Sequence, residues 1–283
     1  MKENGMMNRV FAVVCLVQVL CAVHVWGAIN PRWDLRVKMI HTPLGNIEEP
    51  ASVFASFLGL VASAVNLLRM RSALQRLPSG SWAHYPFKSL WYLTVGGISA
   101  MSAASVVFHA HENKVTEGMD YTTAIWFIGM MSCASMLRCF RVCRTAWHRV
   151  VPFVLMLAPL CWHSHYMFFV SFDYGWNMKF GAFFVAVTVL TWYGLCAYEL
   201  LVARPRSRHF AWALAAITAL TLFAPAEMHD FIPLWHTIDG HSVWHLGMDV
   251  FAALFGEFVV RDVAYYASKD SDPLLSRDPL HTN

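Results

Sequence analysis

The sequence predicts an all-α integral membrane protein, a seven-transmembrane-helix bundle behind an N-terminal signal peptide, and three observations predict it. The 283 residues are 57 % hydrophobic and 14 % charged, more apolar and far less charged than an ordinary soluble domain. Seven apolar segments follow residue 49, most of them long enough to cross a ~30 Å hydrocarbon core as helices. The connections between them alternate in charge.

Residues 1–28 carry Lys2 and Arg9, an apolar run from Phe11 to Val25, then Gly27 and Ala28. This is the layout of a secretory signal with a small-residue cleavage zone. A first membrane anchor is the competing reading, weakened by Gln18 and His24. Residues 29–49, with Arg32, Asp34, Arg36 and Lys38, form a short polar segment. The spans are expected at roughly 50–68, 89–109, 119–137, 150–170, 180–202, 209–224 and 241–260. The sixth is short and is expected to stop at Pro225. Residues 50–260 are read as one membrane domain without internal repeats, and residues 261–283 as a tail.

Orientation follows from the loops. Arg69, Arg71, Arg76 and Lys88 lie between spans one and two, Arg138, Arg141, Arg144 and Arg149 between three and four, and Arg204, Arg206 and Arg208 between five and six. The other connections hold Lys114 and Lys179 but also Glu112, Glu117, Asp173, Glu227, Asp230 and Asp239. The positive-inside rule makes the basic loops cytosolic, the segment after the signal luminal and the tail cytosolic. A net charge of +3 gives no reason to expect a nucleic-acid partner. The seven cysteines lie in or beside apolar stretches, without the spacing of a zinc finger or a disulfide framework.

Chemistry concentrates at one membrane face. Span two ends Ser105-Val-Val-Phe-His109 and span seven begins His241-Ser-Val-Trp-His245. Residues four apart share a helix face, so each motif presents two polar groups together. The topology brings His109, Asp120, His241 and His245 to the luminal side. Three imidazoles with an open fourth position make a catalytic zinc arrangement, which lowers the pKa of water to roughly 7 and polarises a carbonyl oxygen. Asp120 is then the natural proton acceptor, and Ser105 is placed to hydrogen-bond a developing oxyanion. Asp249 continues the His241, His245 face and is a candidate to orient His245. Glu227, His229, Asp230 and Asp239 gather nearby, either as a solvated loop or as ligands for a polar headgroup or second cation. His163 is open to local hydrogen bonding or to a headgroup contact, and Trp126, Trp235 and Trp244 to interfacial anchoring.

These residues resemble the CREST superfamily of seven-span membrane hydrolases: a serine four before a histidine, an aspartate shortly after, and a late His-x-x-x-His. Ser105, His109, Asp120, His241 and His245 fill every position. The sequence is most similar to the GPI-specific phospholipase A2 family, that of post-GPI-attachment-to-proteins factor 3 and its fungal counterparts. Glu49 to Phe57, Val107 to Glu112 running to Tyr121, Phe172 to Asn177 and Asp239 to His245 carry the likeness, and His163 also matches. The resemblance implies zinc-dependent removal of the sn-2 fatty acid from protein-linked GPI anchors in the lumen of the endoplasmic reticulum or Golgi. GPI-anchored proteins and membrane lipid are the implied substrates. The family's luminal segment is usually longer and contains cysteines, whereas residues 29–49 contain none.

Two other readings compete. An alkaline-ceramidase-like amidohydrolase would use the same metal set, but the acidic Trp-Cys-Glu calcium segment that ceramidases carry is not seen before span one. A non-catalytic receptor or membrane-remodelling protein would need neither Ser105 nor Asp120. The tail stretch Asp270-Ser-Asp-Pro-Leu-Leu275 resembles an acidic dileucine sorting signal, a short pattern common in solvated tails.

Overall fold

The computed structural model describes residues 39–42, 45–77, 87–139, 146–203, 207–228 and 231–270. The signal segment, the dileucine stretch beyond Asp270, His229 and Asp230 lie outside these residues. A short hairpin, β1 (Ile40–Thr42) and β2 (Gly45–Ile47), pairs Ile40 with Ile47 in antiparallel register. Seven helices follow among the described residues: α1 (Pro50–Gln75), α2 (Lys88–Ala110), α3 (Lys114–Cys139), α4 (Ala146–His165), α5 (Tyr174–Ala197), α6 (Phe210–Met228) and α7 (Gly240–Asp270). α4 and α5 each run on into a π-helical turn, Tyr166–Val170 and Tyr198–Val202.

The helix starts are chemically marked. Pro50 opens α1, where a missing N–H costs nothing. Asn113 accepts from the backbone N–H groups of Val115 and Thr116 to cap α3. Asp173 accepts from Trp176 to cap α5. At α7, Asp239 accepts from the Ser242 N–H while the Ser242 hydroxyl accepts from the Asp239 N–H, a reciprocal capping box.

Five helices are long and apolar enough to cross a membrane: α1, α2, α5 with its π turn, α6 and α7. The sequence predicts seven spans; among the described residues there are seven long helices, of which five qualify as spans by length and composition. In α3 the apolar character is diluted by Asp120, Thr122, Thr123, Ser132 and Ser135. Two of these hydroxyls join α5: Ser132 to Thr188 at 2.6 Å and Ser135 to Thr191 at 2.5 Å. Interhelical hydroxyl pairs of this kind hold helices together where the hydrophobic effect does not. The apolar stretch Val154–Val170 of α4 and its π turn is shorter.

Six helices close a ring in which α1, α2, α3, α5, α6 and α7 each pack on the next, with α7 packing back on α1 to complete the circle. α4 packs outside it, on α3. Residue polarity is inverted relative to a soluble bundle. On α1, Ser52, Ser56, Gly59, Ser63 and Asn66 face inward, while Phe54, Phe57, Val61 and Leu68 face out. Small residues allow close approach: a side chain on Gly59 would collide with Asp249 and Ser102, and one on Gly256 with Asn66. The centre is aromatic, with Trp91, Trp192, Phe255 and Phe258 in mutual edge-on or tilted contacts.

Pro225 does not end α6, contrary to the expected stop, and the helix continues to Met228. Proline is tolerated inside membrane helices because neighbouring groups and small local adjustments satisfy the freed carbonyl. The extra turn carries Glu227.

At the end of the ring away from His109 lies a buried ionic cluster. Arg138 donates to Asp262 at 2.5 Å, His209 contacts the same carboxylate at 3.0 Å, and the Trp91 indole donates to it at 3.3 Å. The guanidinium also sits over the Phe87 ring at 4.2 Å. Four helix segments meet at Asp262, so Asp262→Asn, which strands Arg138 in a dry site, should destabilise the protein by about 3–5 kcal/mol. Denaturant titration in micelles should show this loss, and Arg138→Met combined with Asp262→Leu should recover most of it.

A candidate three-histidine metal centre

The Nε2 atoms of His109, His241 and His245 form a triangle with edges of 3.0, 3.1 and 3.2 Å. His109 comes from the last turn of α2, and His241 and His245 from the first two turns of α7. These are the three ligands the sequence singled out, and the fold brings them together.

The far sides of the rings are also held. Nδ1 of His241 meets Glu227 at 2.6 Å. Nδ1 of His109 lies 2.7 Å from Glu49 Oε2, an ionic contact whose N–H is not aligned along the oxygen direction. Nδ1 of His245 lies 3.4 Å from the Ser56 hydroxyl. In the tautomer that carries a proton on each Nδ1, the three Nε2 lone pairs would converge on one point. That arrangement is repulsive unless a cation draws them in. A tetrahedral zinc at its usual bond length would set Nε2 separations of about 3.3 Å, so the donor set fits the ion. The carboxylate–histidine–metal relay is the usual way such ligands are oriented.

Glu49 reaches this position because its backbone N–H donates to the His109 carbonyl at 3.0 Å, pinning the start of α1 to the end of α2. Burial works against its charge, but the contact with His109 and the fields of His109 and His241 outweigh burial and hold its pKa below the usual carboxylate value.

Asp120, in the second turn of α3, is 6 % exposed and Ser105 is 2 % exposed. The Asp120 carboxyl has the Ser105 hydroxyl as a hydrogen-bond partner and lies within the electrostatic field of the His109 and His241 rings. Ser105 in turn accepts from Ser56 at 3.1 Å. A buried carboxylate and a buried hydroxyl thus lie beside one buried and two half-buried imidazoles.

The remaining candidates separate. Glu227 holds His241, whereas its segment reads in sequence as a solvated loop or as a headgroup or second-cation contact. Asp239 is occupied as the α7 cap. Asp249 lies one turn below His245, beside Gly59 and Ser102, not against an imidazole ring. His163 is buried in the α4–α5 interface, where Nε2 meets Asn177 at 3.0 Å and the ring stacks on Phe180. Glu49 and Ser56 went unnoticed as ligand supports. The signal for both was weak, since only their place on α1 beside the His109 end sets them apart.

Fold and site together define a helical membrane protein with a histidine cluster suited to a metal ion. The chain belongs to the Per1-like family, which it matches over residues 38–263. It is similar to the GPI-specific phospholipase A2-like PGAP3 of Danio rerio, 33 % identical over 222 residues, covering 76 % of this chain and 64 % of the relative. The human protein of the same name is 29 % identical, over 80 % of this chain and 67 % of its own length. The Protein PER1 homolog of Schizosaccharomyces pombe is 30 % identical, over 62 % of this chain and 53 % of its own. The chain thus spans about two thirds or less of the length of these relatives. No solved structure matches it.

Replacing His245 by Ala should abolish stoichiometric zinc in the purified protein. Glu227→Gln should retain the site but weaken zinc about 10–100-fold, as measured by chelator competition. Unchanged affinity in Glu227→Gln would show that the carboxylate does not tune the ligand.

Proposed function

We propose that the protein is a zinc-dependent lipid ester hydrolase that removes the sn-2 acyl chain of GPI anchors. The observation that carries this reading is the placement of Asp120 and Ser105 beside three converging Nε2 atoms, in a chain of the Per1-like family. The names of the curated relatives give the substrate class.

His109, His241 and His245 would hold the ion, which supplies a Lewis acid and lowers the pKa of water. Asp120 takes a proton from water as its oxygen attacks the ester carbonyl carbon. Ser105 donates a hydrogen bond to the carbonyl oxygen as negative charge develops there. The carbon–oxygen ester bond then breaks, and Asp120 returns the proton to the departing glycerol oxygen. The products are a free fatty acid and a lyso-GPI anchor. Glu49, Glu227 and Ser56 orient the rings. Phe108 packs against His109, and Tyr121, next to Asp120, stacks on Phe172, giving the site an aromatic flank.

In this reading the histidine end faces the lumen of the endoplasmic reticulum or Golgi and the carboxyl tail is cytosolic. The charge asymmetry of the loops supports that orientation, and protein-linked GPI presents its glycerolipid to the same leaflet.

Asp120→Asn should lower fatty-acid release from GPI-anchored protein in vesicles by about 10²–10⁴-fold while retaining zinc. Ser105→Ala should cost about 10²–10³-fold. Mass spectrometry of the anchor lipid is the decisive measurement: sn-2 chains that remain on GPI proteins incubated with the zinc-loaded parent would refute the activity.

A further inference from the structure

Among the described residues, the non-glycine positions with a left-handed backbone are Trp235 (φ 52°) and His236 (φ 57°). They are consecutive and sit between α6 and α7. The Thr237 N–H donates to the Leu234 carbonyl at 3.0 Å, and the Leu234 N–H to Ile238 at 2.7 Å. Two left-handed residues closed by such a bond match a type I′ hairpin turn, whose favoured residues are Asn-Gly or Asp-Gly. A tryptophan there is unfavourable for the backbone. It also gains nothing within the bundle, because Trp235 is 81 % exposed.

The segment Phe231–Ile238 contains no Asp, Glu, Lys or Arg. A solvated connection would be expected to be polar, whereas this one is apolar and ends on an indole. The same end of the bundle exposes Phe169 at 80 %, with Phe168, Phe172 and Tyr174 beside it. An indole has an apolar body and one N–H donor, so it partitions to the boundary between acyl chains and headgroups. We propose that the Leu234–Thr237 turn is an interfacial anchor that seats Trp235 in the headgroup–glycerol layer of the leaflet at the histidine end. The turn is joined through the Asp239–Ser242 capping box to the first turn of α7, which carries His241. Seating the indole therefore fixes the depth of a metal ligand relative to the lipid glycerol.

The test uses the full chain in phosphatidylcholine nanodiscs. Trp235→Cys is labelled with a thiol-reactive fluorophore, the signal of identically treated parent is subtracted, and an exposed control, Glu112→Cys, is labelled in parallel. The label at 235 should be quenched several-fold more by headgroup-proximal spin-labelled lipid than by aqueous iodide, with the opposite order at 112. Iodide quenching at 235 equal to that at 112, or quenching by neither reagent as beneath a protein partner, would overturn the proposal. Trp235→Asn supplies a second readout, since asparagine accepts the left-handed backbone. It should lower the thermal midpoint in nanodiscs; a rise, the result of relieving the backbone alone, would overturn the anchor.

Discussion

Three imidazole Nε2 atoms stand 3.0–3.2 Å apart, and much of the structure at that end serves to hold them there. The rings come from two helices that make few direct contacts with each other, so their register depends on what lies between and behind them. α1 bridges α2 and α7, bringing Glu49 to one ring and Ser56 to another. α6 supplies Glu227 to the third. A site made from four helices is rigid only if the ring of helices is closed, and the α7–α1 contact closes it.

The opposite end carries a different fastening. Arg138, Asp262, His209 and Trp91 are joined where water is excluded, an arrangement that is costly to form and costly to break. It ties α7 to α2, α3 and the start of α6. α7 is therefore held at both ends, by imidazole partners at one and an ionic cluster at the other, with the Phe251–Phe258 aromatic face between.

The sequence displayed the helices and ligands well because both leave local marks. Hydropathy shows where a helix runs, and a four-residue spacing on a helix holds whatever the tertiary context, so Ser105, His109, His241 and His245 were readable as pairs. Asp120 was legible from its depth at the start of the third helix. Glu49 was not, because it acts through a backbone bond to His109 sixty residues away. Glu227 was misplaced to a loop because Pro225 reads as a helix stop, and only packing against neighbours lets α6 pass through it. His163 and Asp239 are headgroup-contact candidates in sequence, yet Nε2 of His163 meets Asn177 and Asp239 caps a helix.

Gly59 gives α1 the character of a lever. Its bare α-carbon rests against Asp249 and Ser102, and that point of contact acts as a fulcrum for a stiff rod. Glu49 stands ten residues up the rod, about 15 Å away at the helical rise. A tilt of about 4° at the fulcrum would swing the carboxylate by about 1 Å over that length. The backbone bond from Glu49 to the His109 carbonyl therefore restrains the far end of the rod, where a small angular error would cost most.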